Sequence, residues 1–169
     1  MKNRLNVVAS LGLAAGGIFG LAGTFVSSRP LQAAFWAFDG TAVVIAAALL
    51  SLKFLRKEND WVAAGFLIYA IGEAIMLPGT ATSLTDSVPS FAAGIALWSA
   101  GLVLVSAPRG FALWARITGI IAAVLFAITS AKMFWGQPLL PTSAPLPSLG
   151  YPFLVLTFIG WIWTLLRPD

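Results

Sequence analysis

The stretch Leu31–Leu52, LQAAFWAFDGTAVVIAAALLSL, decides the fold. It holds one charged residue, Asp39, in a run long enough to cross a bilayer, for which about 20 apolar residues suffice. Working outward, the same pattern recurs over Leu5–Val26, Trp61–Pro78, Ser90–Ala107, Ala112–Phe134 and Leu149–Leu166. Six spans take up about 120 residues, and the chain has 169. That leaves tails and short connections but no room for a soluble domain. The expected fold class is all-α: a single transmembrane domain over residues 1–169, built as a six-transmembrane-helix bundle.

Composition agrees. The chain is 59% hydrophobic and 9% charged, with a mean hydropathy of +0.92. A typical soluble domain is about 45–50% apolar and about 25% charged. There is no cysteine and no histidine. Disulfides, thiol nucleophiles, cysteine or histidine zinc sites and imidazole bases are therefore excluded.

The breaks between spans have physical causes. Ser27-Ser28-Arg29-Pro30 ends the first run, since proline lacks an amide hydrogen and restrains its neighbour. Lys53 to Asp60 is too polar for hydrocarbon, Pro78-Gly79 closes the third run, and Pro108-Arg109-Gly110 ends the fourth. Trp135 to Gly150 carries Pro138, Pro141, Pro145 and Pro147, a composition that favours an extended surface segment. The first run follows a basic start, but it exceeds the roughly 7–15 apolar residues of a signal peptide, so it reads as a membrane helix.

Charge sets the expected orientation. An even span count puts Lys2, Arg4, Lys53, Arg56, Lys57, Arg109, Arg116 and Arg167 on one side, and Arg29 and Lys132 on the other. Eight against two predicts cytoplasmic termini by the positive-inside rule, in a plasma membrane such as a bacterial inner membrane. The basic residues mark helix ends and give no sign of nucleic-acid binding. Trp36, Trp61, Trp114, Trp135, Trp161 and Trp163 fall toward span ends, as an aromatic belt requires, whereas Trp98 falls mid-span and reads as a packing residue, with pore lining as the alternative.

A shift of 79 residues aligns the second span with the fifth: Ala33 meets Ala112, Gly40 meets Gly119, Ser51 meets Ser130 and Lys53 meets Lys132. Such a duplication would make two inverted three-helix repeats, an architecture used by transporters.

Two acids lie inside spans. Asp39 sits roughly 12 Å below the outer boundary at about 1.5 Å per residue, and Glu73, five residues short of Pro78, roughly 8 Å below it. Their helices are consecutive and antiparallel, so the acids can meet. An acid near the helix centre costs about 2.5–3.5 kcal/mol, which makes it a functional hypothesis by default. Two such acids can share one proton. Tyr69 precedes Glu73 by four residues and shares its face, and Lys132 is placed to reach down to either acid. The competing reading is a polar clamp between helices. Arg116, just inside the fifth span, reads as snorkelling to the headgroups.

Gly12, Gly16 and Gly20 form one small-residue stripe on the first span, suited to close helix approach either within the chain or to a second copy. Gly65 with Gly72, and Gly94 with Gly101, repeat at seven in the same manner. No phosphate loop, dinucleotide fingerprint, metalloprotease motif or nucleophile elbow is present, so no catalytic residues, metal or cofactor are expected. The expected function is transport or conduction of a small solute or ion, with Asp39, Glu73, Tyr69 and Lys132 as the binding group. The alternative is a structural or assembly subunit that associates through the glycine stripe. The expected partners are the lipid bilayer and a second copy or membrane complex.

Overall fold

A computed structural model describes residues 4–167; Lys2, counted above among the basic residues, lies outside the described residues. The chain is helical: α1 (Arg4–Phe25), α2 (Arg29–Leu55), α3 (Asp60–Met76), a short 3₁₀ turn (Leu77–Ala81), α4 (Val88–Ser106), α5 (Leu113–Phe134) and α6 (Gly150–Leu166). Five of these, taking α3 together with its 3₁₀ turn, are long and apolar enough to cross a membrane. The sixth, α6, has 17 residues. At 1.5 Å per residue it reaches about 26 Å, a little short of the roughly 30 Å hydrocarbon core. The apolar helices are compatible with an integral membrane protein. The sixth expected span is thus present as a helix, but a shorter one.

Helix limits differ from the hydropathy limits where polar chemistry shapes the ends. Pro30 does not merely end the first span; it occupies the first turn of α2 behind the N-cap Ser28. Proline belongs there because its fixed φ is already helical and its missing donor is not needed. Pro89 plays the same part in α4. At its other end α2 runs past the apolar segment through Lys53 to Leu55. Asn59 then caps α3, accepting from the Val62 amide at 3.3 Å, with Asp60 in the first turn. Both supply negative character to a helix N-terminus.

Each helix packs against its neighbours in sequence, and α6 returns to α1, so the six helices close into a ring. The Asn6 side-chain amide donates to the Leu165 carbonyl at 2.9 Å across that closure. Short links make neighbouring helices antiparallel. One end of the ring therefore collects Lys53, Arg56, Lys57, Arg109 and Arg167, the basic end. The other end collects Arg29, Pro78, Pro89 and Pro141, the proline end.

Glycines set the closest approaches. On α3 and α4 they pair reciprocally: a Cβ on Gly101 would stand 2.7 Å from the Gly65 carbonyl oxygen, and one on Gly72 would stand 2.7 Å from that of Gly94. The seven-residue spacing on both helices is the signature of this antiparallel backbone contact. The stripe on α1 meets α2, with a Cβ on Gly12 falling 2.7 Å from the Ala42 carbonyl oxygen. Of the two readings of that stripe, packing within the chain is the contact present.

The ring's interior is apolar, with Leu50, Phe66, Ile95, Leu102, Phe126 and Trp161 buried. Its outside is also apolar, with Leu11, Ile18, Phe25, Leu113 and Ile117 exposed. A helix in water turns polar residues outward; these faces suit lipid. Toward the basic end the interior is filled by a cluster of rings. Phe66 meets Trp161 at 4.9 Å and Phe54 at 5.7 Å between centroids, and Phe111 meets Trp161 at 5.9 Å.

The proline-rich connection departs from expectation. It folds into successive turns rather than lying extended, with Pro141 and Pro147 buried. The Ser143 hydroxyl accepts from the Leu140 amide at 2.9 Å, and the Ser148 hydroxyl donates to the Ser143 carbonyl at 2.7 Å. Local hydroxyl bonds of this kind stabilise turns against an extended chain.

Candidate functional site

Between the aromatic cluster and the proline end lies a cavity of about 100 Å³, lined by residues from α1, α2, α3, the 3₁₀ turn, α4, α6 and the proline-rich connection. That volume holds several waters. Asp39, Glu73 and Tyr69 all line it.

Asp39 owes its position to the glycine stripe of α1. A Cβ on Gly20 would stand 2.6 Å from Asp39 Oδ2, and one on Gly16 would stand 3.1 Å from Oδ1. The carboxyl group thus rests in a slot made by two absent side chains. Glu73 is placed by a third glycine: a Cβ on Gly40 would stand 3.1 Å from Glu73 Oε1. Glu73 is 5% exposed. The two acids come from adjacent antiparallel helices and are electrostatic neighbours. The donor beside the Glu73 carboxyl group is the Trp98 indole N–H.

Two buried donors around the acids are unsatisfied. The Tyr69 hydroxyl and the Trp98 indole nitrogen have no hydrogen-bond partner. Their rings stack at 5.3 Å, 9° from parallel, which fixes both. The Trp98 nitrogen lies near the Glu73 carboxyl without completing a bond of ordinary geometry. Buried polar groups are nearly always paired, because leaving one bare costs about 1–3 kcal/mol. Among the described residues, two of the five buried side-chain atoms left bare belong to this cavity's wall; the other three are on Asn6, Ser10 and Ser106.

Toward the proline end the wall becomes hydroxylic, with Thr24, Thr80, Ser87 and Ser90. Pro141 and Tyr151 also line it, and the Tyr151 hydroxyl donates to the Pro141 carbonyl at 2.9 Å. Arg29 stands at the same end, donating to Gln32 Oε1 at 3.0 Å and to the Thr82 carbonyl, so it ties α2 to the link before α4. Gln32 in turn donates to the Gly23 carbonyl at 3.1 Å.

The sequence-expected group therefore separates. Asp39, Glu73 and Tyr69 come together; Lys132 does not join them. Lys132 is exposed on α5, which contributes nothing to the cavity wall. The helical turn that brings Lys132 near the end of α5 also points it away from the ring's interior. Arg116 is held by protein rather than by headgroups alone, donating to the Ser106 and Ala107 carbonyls at 2.8 and 2.6 Å. A cation there complements the C-terminal end of α4. Under the 79-residue shift Thr118 takes the place of Asp39; its hydroxyl lies 3.0 Å from that of Thr157, so the two halves of the chain are not alike at the acids.

Sequence reasoning favoured packing over pore lining for Trp98, which lines the wall, and missed Tyr151, Pro141 and the four hydroxyls. Tyr151 carried the one usable signal: one of two tyrosines in the chain, it opens an apolar helix with a hydroxyl that needs a partner. Comparison with protein-family models, with characterised proteins and with solved structures finds no match to this chain.

Proposed function

We propose that this protein is an integral membrane carrier or channel for a small solute, which enters the cavity from the proline end and is held at Asp39 and Glu73. In this reading all six helices cross the membrane. The basic end faces the cytoplasm and the proline end faces outward, as the positive-inside rule directs. The membrane is the plasma membrane, of the bacterial inner-membrane kind. The observation that carries the reading is a cavity whose wall holds two acids, within apolar helices, with no lysine or arginine among its lining residues. Acids in such a place are costly, and a solute that binds them offsets that cost. The hydroxyl-lined side is the proposed way in, and the Phe54, Phe66, Phe111 and Trp161 rings fill the side toward the basic end. That arrangement is an outward-open or occluded state; passage requires the aromatic cluster to part.

The test is flux through reconstituted proteoliposomes carrying an entrapped pH-sensitive dye. They are challenged in turn with Na⁺, K⁺ and methylammonium, with light scattering used to follow glycerol and urea. At least one solute is expected to enter faster than into empty vesicles, and Asp39→Asn with Glu73→Gln to abolish that excess. Flux equal to empty vesicles for every solute, or flux untouched by the double substitution, overturns the proposal. The alternative, an assembly subunit associating through the glycine-stripe helix, would use Gly12, Gly16 and Gly20, which lie against α2 within this chain.

A further inference from the structure

The cavity's chemistry narrows what it holds, on the footing that a solute occupies it as proposed above. Charge is the first constraint. Two neighbouring carboxyl groups share this wall, and negative charge on them needs a nearby cation. No lysine or arginine lines the cavity to balance it. A guest with one positive charge supplies the balance, and an anion is repelled.

The wall decides between an inorganic and an organic cation. A hard metal ion needs about six to eight oxygen ligands to replace its water. Among the described residues no group of three or more potential metal-binding side chains exists. Much of the wall is instead apolar or aromatic, including Trp36, Val43, Phe91, Tyr151 and Phe158. Aromatic rings are attractive neighbours for an alkylated ammonium, whose charge is spread and weakly hydrated.

The bare donors add a third constraint. The Tyr69 hydroxyl and the Trp98 N–H are buried, unpartnered and beside the cavity. Both donate, and a guest that carries an acceptor would satisfy them. We infer that the cavity binds a compact organic monocation: an ammonium centre bearing short apolar groups and one neutral oxygen acceptor.

Choline is the probe, being a trimethylammonium with one hydroxyl; dimethylbutanol is its uncharged carbon isostere. Titration calorimetry on the full chain in mild detergent reads binding directly. Choline is expected to bind at least about tenfold more tightly than the isostere, with no competition from Na⁺. Asp39→Asn is expected to weaken choline about tenfold. Tyr69→Phe is expected to weaken choline several-fold while leaving tetramethylammonium, which has no oxygen, unchanged. Binding should also weaken as pH falls, because the proton and the cation compete for the same acids. The titratable groups facing the guest are Asp39 on α2, Glu73 and Tyr69 on α3, and Tyr151 on α6. The other lining elements offer none.

Equal affinity for choline and its isostere, or no choline binding by the folded wild-type chain, overturns the inference. Uptake of labelled choline into proteoliposomes separates it from the transport reading. Binding without uptake removes transport and leaves the organic-cation site. Flux of another solute with no choline binding removes the site chemistry and leaves transport.

Discussion

Replacing Glu73 by methionine separates a binding site from a structural clamp. Methionine keeps the unbranched shape and removes the carboxyl group. Glu73 is 5% exposed, and its Oε1 occupies the space that a side chain at Gly40 would take. The neighbouring Trp98 indole N–H makes no bond of ordinary geometry to it. An unpaired buried polar group costs about 1–3 kcal/mol, and the substitution should recover that amount. For a chain of this size, about 2–4 °C per kcal/mol translates the gain into a melting temperature higher by roughly 2–12 °C. A clamp predicts the opposite sign: hydrogen bonds between membrane helices are worth about 0.6 kcal/mol on average and at most about 1.7. The assay is thermal unfolding in mild detergent, followed by circular dichroism, on wild type, Glu73→Met and Glu73→Gln. Solute binding is measured on the same samples. A stabler Glu73→Met protein that no longer binds is the expected result, the trade of stability for function seen at active sites. A melting temperature lower by several degrees refutes the reasoning, because it means that the carboxyl group holds helices together.

Gly20→Ala places a methyl group 2.6 Å from Asp39 Oδ2, so the carboxyl group must leave its slot; binding should fall several-fold while melting shifts little. Gly101→Val drives a side chain into the Gly65 carbonyl, a backbone atom that cannot yield, and should destabilise the fold by about 1–3 kcal/mol in the same thermal assay. Because the sequence has no cysteine, single cysteines report topology without background. In right-side-out vesicles a membrane-impermeant thiol reagent should label Thr85→Cys and spare Glu58→Cys until the membrane is opened; the reverse pattern inverts the proposed orientation. Tyr151→Phe removes the 2.9 Å bond to Pro141 and should loosen the connection over the cavity, read as faster amide exchange across 137–149.

The sequence by itself determined the helix count and an apolar character compatible with a membrane. Long apolar runs have no stable form in lipid except a helix or a closed barrel, since every backbone group must be satisfied within the span. Helices therefore follow from local composition, as does the placement of basic residues at their ends. It also singled out Asp39 and Glu73, because an acid within an apolar run is conspicuous one residue at a time. The glycines were legible as a tendency to pack closely; their partners were not. That Gly16 and Gly20 make a slot for Asp39, and that Gly65 meets Gly101, depends on how helices rotate against one another. Rotation is settled by side-chain fit summed over a whole interface, which no local window contains. The same reason explains Lys132 and Trp98. Sequence distance placed Lys132 within reach of the acids and left Trp98 as filler. Closure of the ring turned the first outward and brought the second beside Glu73.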